Sequence, residues 1–322
     1  MATDVSPTDS SVTSPELVVS AAPRPARPRA RLGPNRSGWP FVLPAIFLLL
    51  LLNIFPLIFS VVMSFSNVST DNGLQLTART LDNWSQLLSD SSFWDAMKFT
   101  VFFVVVAVTL EFFIGFAMAL LLWRKIPGGG FFRVLFCIPM MLAPVAIGFM
   151  FRMIFDEQDG PVNAILHGLH LPQVLWLSDT TTAPISVLLM DIWEWTPLMF
   201  LLLLAGLQAM PEEAIEAARL DGASGFRVIW NIIFPILAPI SVMAVFLRMI
   251  DAFTIFGQIY LLTGGGPGTA TTSTTLFAFY QGFQNFNMSY GSTISLALLI
   301  FVTVTALVYL AITRMLLRRV EA

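Results

Sequence analysis

Six long apolar stretches, separated by polar segments, organise the chain from residue 41 onward: 41–64, 99–123, 134–151, 183–207, 236–262 and 292–313. Each is close to the roughly 20 residues an α-helix needs to cross the hydrocarbon core of a bilayer. None sustains the period-two alternation of a strand, and each exceeds the about 10 residues of a single barrel strand. A continuous apolar segment in lipid must satisfy its own backbone, so the pattern predicts six transmembrane helices in an all-α integral membrane protein. Residues 1–38 hold no long apolar run; they are rich in Ser, Thr, Pro and Ala and end in Arg24, Arg27, Arg29, Arg31 and Arg36. Such a segment cannot bury enough apolar area to fold and is expected to be a disordered cytoplasmic tail. The run after it is too long for the apolar part of a cleaved leader and has no small-residue cleavage site, so 39–322 reads as one membrane domain with an uncleaved first span.

Composition narrows the class. Hydrophobic residues make up 56% of the chain and charged ones 11%, with a mean hydropathy of +0.78, against about 25% charged in a soluble domain. A net charge of −3 gives no footing for nucleic acid. One cysteine, Cys137, excludes an internal disulfide, and in its apolar setting it is expected to pack inertly. His167 and His170 share a loop without a Cys or third His, so no metal site is expected. Thirteen of the 17 Lys and Arg fall on one side of the six spans: the five tail arginines, Arg124, Lys125, Arg133, Arg219, Arg227, Arg314, Arg318 and Arg319. The other side carries Asp71, Asp82, Asp90, Asp95, Asp156, Glu157, Asp159 and Asp179. Positive-inside logic puts both termini in the cytoplasm.

The one long inside connection, 208–235, has its own structural grammar. Pro211 suits a first helical position, and Glu212 and Glu213 suit the positive end of a helix dipole. Asp221-Gly222 ends that helix, and Ser224 caps a second short one running to Pro235. Two short helices joined by a glycine bend are therefore expected to stand off the membrane, and their composition alone leaves open whether this is only a surface hairpin.

The order Glu216-Ala217-Ala218, three residues, Gly222, nine residues, Ile232, one residue, Phe234-Pro235 resembles the EAA loop of ABC importer permeases, with Phe234 where that loop usually has Leu. The flanking Pro211-Glu212-Glu213 and Leu220-Asp221-Gly222-Ala223, and Leu261-Leu262-Thr263-Gly264-Gly265-Gly266-Pro267-Gly268, are similar to the sugar-importer branch. The chain thus resembles, over about 40–315, the MalF-type permeases of binding-protein-dependent carbohydrate uptake. It differs from the maltose permease in lacking extra N-terminal spans and a large folded external insertion. The resemblance implies a MetI-like type-1 permease fold with a core at about 97–313, in a bacterial plasma membrane. It implies coupling to ATP through Glu216, Ala217, Ala218, Asp221, Gly222 and Pro235, seated in an ATPase subunit. It also implies the partners: a second, MalG-type permease, two ATPase subunits that bind the ATP-Mg, an external solute-binding protein and a sugar-like solute. No cofactor or catalytic residue is expected in this chain, because neither Lys98 nor Lys125 follows a glycine as a P-loop requires.

Charged side chains inside the spans carry the remaining chemistry: Glu111, Asp191, Glu194, Arg248 and Asp251. Each costs roughly 2.5–3.5 kcal/mol on a lipid-exposed helix, so each should face protein or water. Arg248 and Asp251, at i, i+3, are placed to pair; Glu111 reads as structural. Asp251, Thr254 and Gln258 recur at i, i+3, i+7, and Asp191, Glu194 and Trp195 at i, i+3, i+4, so each set shares a helix face and is a candidate lining for a solute path. The alternative is that these groups only satisfy one another. Matching Trp193 and Pro197 to the corresponding helix of maltose-type permeases implies the solute reading. The segment 264–268 reads as a flexible external turn, and the uncharged run 269–275 after it as a surface for the binding protein. A non-carbohydrate ABC importer, an ion-coupled secondary transporter and a membrane scaffold are the competing readings. The secondary transporter predicts inverted repeats with broken helices, which the sequence does not show, and a scaffold gives no reason for the hairpin.

Overall fold

In a computed structural model that describes residues 39–68, 80–123 and 127–320, every regular element is helical. The expected tail, 1–38, and Arg79, Arg124 and Lys125 lie outside the described residues. The chain divides into two units, 1–52 and 53–322. Of the first, the described part is 39–52, the start of α1 (Trp39–Ser64), whose Leu, Phe and Val side chains from Val42 to Leu52 are exposed. That is the surface a lipid-facing helix presents.

The second unit holds the remaining elements. After the end of α1 come α2 (Asp82–Ser89), α3 (Ser91–Leu122), α4 (Gly129–Cys137), α5 (Pro144–Ile154), α6 (Pro161–Gly168), α7 (Thr182–Gln208) and α8 (Glu212–Leu220). They are followed by α9 (Gly225–Val228), α10 (Phe234–Ala252), α11 (Gly257–Leu262), α12 (Thr274–Phe279) and α13 (Met288–Val320). Five helices among the described residues are long and apolar enough to cross a membrane: Val42–Ser64, Ser91–Leu122, Thr182–Gln208, Gly225–Ala252 and Met288–Leu316.

Two of the six expected spans are not single helices. The stretch 134–151 is cut by prolines: α4 gives way to a single 3₁₀ turn at Pro139–Met141, and Pro144 opens α5. Neither proline can donate to the preceding turn, so each starts a new piece rather than continuing one. The 11 residues of α5 rise only about 16 Å, half of a bilayer core. The stretch 236–262 is cut at its other end. The Thr254 N–H and hydroxyl both donate to the Asp251 carbonyl, at 2.9 and 2.8 Å, and close α10 before α11 begins. Such side-chain to backbone bonding competes with helix continuation.

The frame is the long crossing of α3 on α7. Gly115 sits at its tightest point: a Cβ there would stand 2.8 Å from the Phe200 backbone nitrogen and 2.8 Å from Met199 Cβ. A small residue lets membrane helices approach this closely. Phe103, Ala107, Val187 and Met190 fill one side of the crossing. Phe116, Phe200, Leu203 and Leu207 fill the other, together with Leu237 of α10. At the start of α7, Asp179 accepts from the Thr181 hydroxyl and from the N–H groups of Thr181 and Thr182, which holds its carboxyl below the usual range.

The polar run 269–275 is not the external surface that the sequence predicts. Thr271, Thr272, Ser273 and Thr274 are buried. Thr274 bonds Thr100 of α3 through both its hydroxyl and its backbone N–H, at 3.1 and 2.9 Å, and Ser273 donates to the Ile255 carbonyl at 3.0 Å. Nor is 264–268 loosely held, for Thr263, Thr271 and Thr272 bond its backbone. Uncharged hydroxyls are read as surface by composition, but inside a membrane protein they are the groups that stitch helices together.

Candidate functional site

The hairpin between α7 and α10 is built around one helix terminus. Pro211 lies just before α8 rather than within it. At the other end, Gly222 N–H donates to the Arg219 carbonyl and Ala223 N–H to the Ala218 carbonyl, both at 3.0 Å, with Gly222 at φ +77°. This is a Schellman cap, which needs a residue at positive φ four positions after the helical carbonyl that closes it. The spacing of Ala218 and Gly222 is therefore a geometric requirement, and glycine fills it without strain. Ser224 then caps the following helix, its Oγ accepting from Arg227 N–H at 3.4 Å.

That second helix does not stop at Pro235 as the sequence suggests. It continues from Gly225 to Ala252 through one widened π turn, Ile229–Ile233, in which Phe234 N–H reaches the Ile229 carbonyl. The wider turn makes room for the ring of Pro235, which would otherwise press on the carbonyl four residues back. Ile215 and Val228 are buried against Phe116, Leu203 and Leu207 and tie the hairpin to the membrane helices. The opposite side is unpaired: Glu216 and Ala217 are exposed, Leu220 is 90% exposed and Phe226 73%. Trp230 packs between Phe226 and Phe234 behind them, its ring tilted against both.

The second feature lies within the membrane helices. Arg248 of α10 is 1% exposed and uses every face of its guanidinium. Nε and Nη2 grip the two carboxylate oxygens of Glu111 on α3 at 2.8 and 3.0 Å. Nη2 also meets Asp191 of α7 at 2.5 Å, Nη1 meets Asp251 at 3.0 Å, and the plane lies 5.0 Å from the ring of Trp195. Glu111 and Asp191 are buried, whereas the Asp251 side chain is 49% exposed. Beside this cluster Gln258 of α11 donates to Glu194 at 3.1 Å, both buried.

The expected pairing of Arg248 with Asp251 is therefore present, but as one arm of a larger array. Asp191 and Glu194 sit close together; Asp251 and Thr254 lie at an exposed edge; Gln258 belongs to a separate helix. The i, i+3, i+7 face predicted for Asp251, Thr254 and Gln258 does not exist as one helical face, because α10 ends at Ala252. The Glu111 contact is one that sequence reasoning missed; the signal that could have found it is charge arithmetic, since a buried arginine needs carboxylates from other helices and few are available in the spans.

Membrane-length helices enclosing a charged seam, with a capped hairpin that leaves apolar side chains uncovered, define a membrane component made to work with other subunits. The chain belongs to the family "Binding-protein-dependent transport system inner membrane component", which matches residues 111–322. Among relatives, the trehalose/maltose transport system permease protein MalF of Thermococcus litoralis is 39% identical over 235 residues, 73% of this chain and 79% of that one. A probable ABC transporter permease protein, y4oQ, of Sinorhizobium fredii is 35% identical over 277 residues, 86% of this chain and 89% of that one. The same fold is seen in the crystal structure of a bacterial ABC transporter that imports the acidic polysaccharide alginate. There the TM-score is 0.74 at 20% identity, covering 88% of this chain and 96% of that chain.

Proposed function

We propose that this chain is one of two permease subunits of an ATP-driven importer, forming half of the path for a sugar, polyol or glycerol derivative delivered by an external binding protein. The observation that carries the reading is the hairpin. Its Schellman cap fixes α8 at a set angle, anchored by Ile215 and Val228, while Leu220 and Phe226 project with nothing to cover them. Large exposed apolar side chains on a rigid support are binding anchors, and on the cytoplasmic side the partner is an ATPase subunit. Closure of an ATPase dimer would then move α8 and, through the continuous helix from Gly225, α10 with it. The name of the Thermococcus litoralis relative, a trehalose/maltose permease, supports the solute class, which we narrow to neutral oligosaccharides such as trehalose or maltose. Trp195, Asp251 and Thr254 edge this subunit's side of the path, a carboxylate and a hydroxyl for sugar hydroxyl groups and an indole for an apolar sugar face, with the buried Asp191, Glu194 and Gln258 behind them. The topology proposed is six crossings with both termini in the cytoplasm, α4 and α5 together making the third.

Purification of the complex through a tag on this chain tests the assembly. The expected composition is one copy of this subunit, one of a related but distinct permease and two of an ATPase. A complex holding only copies of this chain contradicts it.

A further inference from the structure

The arginine cluster has a member that touches no solute in the reading above and yet controls two groups that do. Arg248 has one charge-bearing plane and five N–H donors. Glu111 takes two of those directions, in the bidentate fork that fixes guanidinium orientation as well as position. Once Nε and Nη2 are held from α3, Nη1 can point only where Asp251 stands, and the flat face only over Trp195. Asp251 and Trp195 sit at the margin of the seam, the carboxylate half exposed and the indole half-buried. Glu111 itself is fully buried.

We infer that Glu111 is a positioning residue of the solute path: through Arg248 it sets the Asp251 carboxylate and the Trp195 ring at the open edge. This rests on the importer reading. Asp191 does not share the role, for it makes one bond to Nη2, which Glu111 already holds. The arrangement also has a sign. Arg248 is one cation facing Glu111, Asp191 and Asp251, with Glu194 nearby and bonded to a neutral amide, and the carboxyl that reaches the exposed edge is that of Asp251. Such an edge accepts hydroxyls and disfavours anionic sugars.

The test uses the assembled complex carrying Cys137→Ser and Thr254→Cys, since Thr254 lies beside Asp251 at the exposed edge. Its first arm needs no solute. The single thiol is treated with cationic trimethylammonium-ethyl methanethiosulfonate and with the anionic sulfonate of the same size. Both should react, the cation faster by about tenfold beyond its rate on a free thiol. Adding Glu111→Gln should cut that preference several-fold toward the Asp251→Asn value, while Asp191→Asn leaves it within about twofold. Equal losses in the two variants would reduce Glu111 to a distant charge, and no reaction with either reagent would place the edge in lipid or core. Either result overturns the inference. The second arm measures trehalose uptake with Cys137 and Thr254 unaltered: Glu111→Gln should raise KM about tenfold with the maximal rate and assembly retained. A lower maximal rate at unchanged KM also overturns it. If the unaltered complex carries neither trehalose nor maltose, the carbohydrate reading fails, and the first arm still decides the role of Glu111.

Discussion

Gly222→Val should leave the subunit in the membrane and strip it of its ATPase. The residue adopts φ +77°, and a Cβ there would meet nothing within 4 Å, so steric crowding does not enter. The effect is confined to the backbone. A left-handed conformation costs an ordinary L-residue about 1–2 kcal/mol, and a β-branched one more. Valine would escape it by abandoning the two bonds that close α8, and the helix would lose its set angle. ATPase recovered with the tagged subunit should then fall at least about tenfold, a loss of about 1.4 kcal/mol in binding. Gly222→Asn is the control, because asparagine tolerates this conformation; it should keep most of the ATPase. Equal behaviour of the two variants, whether both bind or both fail, would show that the cap does not set the docking angle.

Arg248→Met should do the reverse, damaging the membrane domain while leaving the hairpin sequence intact. Glu111 and Asp191 would be left buried without their counter-charge, and removing one partner of a buried ion pair costs about 3–5 kcal/mol. Against a total stability of about 5–15 kcal/mol, that should cut the yield of folded subunit several-fold and lower its thermal midpoint in detergent. The same argument predicts recovery when the stranded charges are removed too: Glu111→Gln and Asp191→Asn added to Arg248→Met should restore much of the yield. If Arg248→Met alone folds as well as the unaltered chain, the cluster is not holding α3, α7 and α10 together.

These expectations draw on parts of the molecule that differ in how far the sequence discloses them. The apolar stretches disclosed the membrane class and four continuous spans, because lipid imposes one solution on a long apolar segment. The hairpin was legible in detail, Gly222 and Ser224 especially, because capping is local and each position has a narrow chemical requirement. What failed was long-range. Pro139 and Pro144 were visible, but whether prolines kink a span or divide it depends on what packs around them. Pro235 is read as a stop and is instead absorbed by a π turn. Thr271 to Thr274 look like surface until α3 supplies Thr100. Asp251, Thr254 and Gln258 fit a helical face that ends before it includes them. Arg248 and Asp251 are three positions apart, a spacing that lets them pair on one helix, whereas Glu111 is 137 positions away, and only the α3–α7–α10 packing brings it to the guanidinium.

The central claim, that ATP drives solute through this subunit by way of the hairpin, is tested most directly by uptake into proteoliposomes. The purified complex would be reconstituted with ATP inside and, outside, its binding protein loaded with radiolabelled maltose or trehalose. The account predicts accumulation that requires both ATP and the binding protein, and that is lost on Leu220→Glu combined with Phe226→Glu even though the protein still inserts. Accumulation that proceeds without ATP and follows an imposed proton or sodium gradient, or that survives both hairpin substitutions, would contradict it.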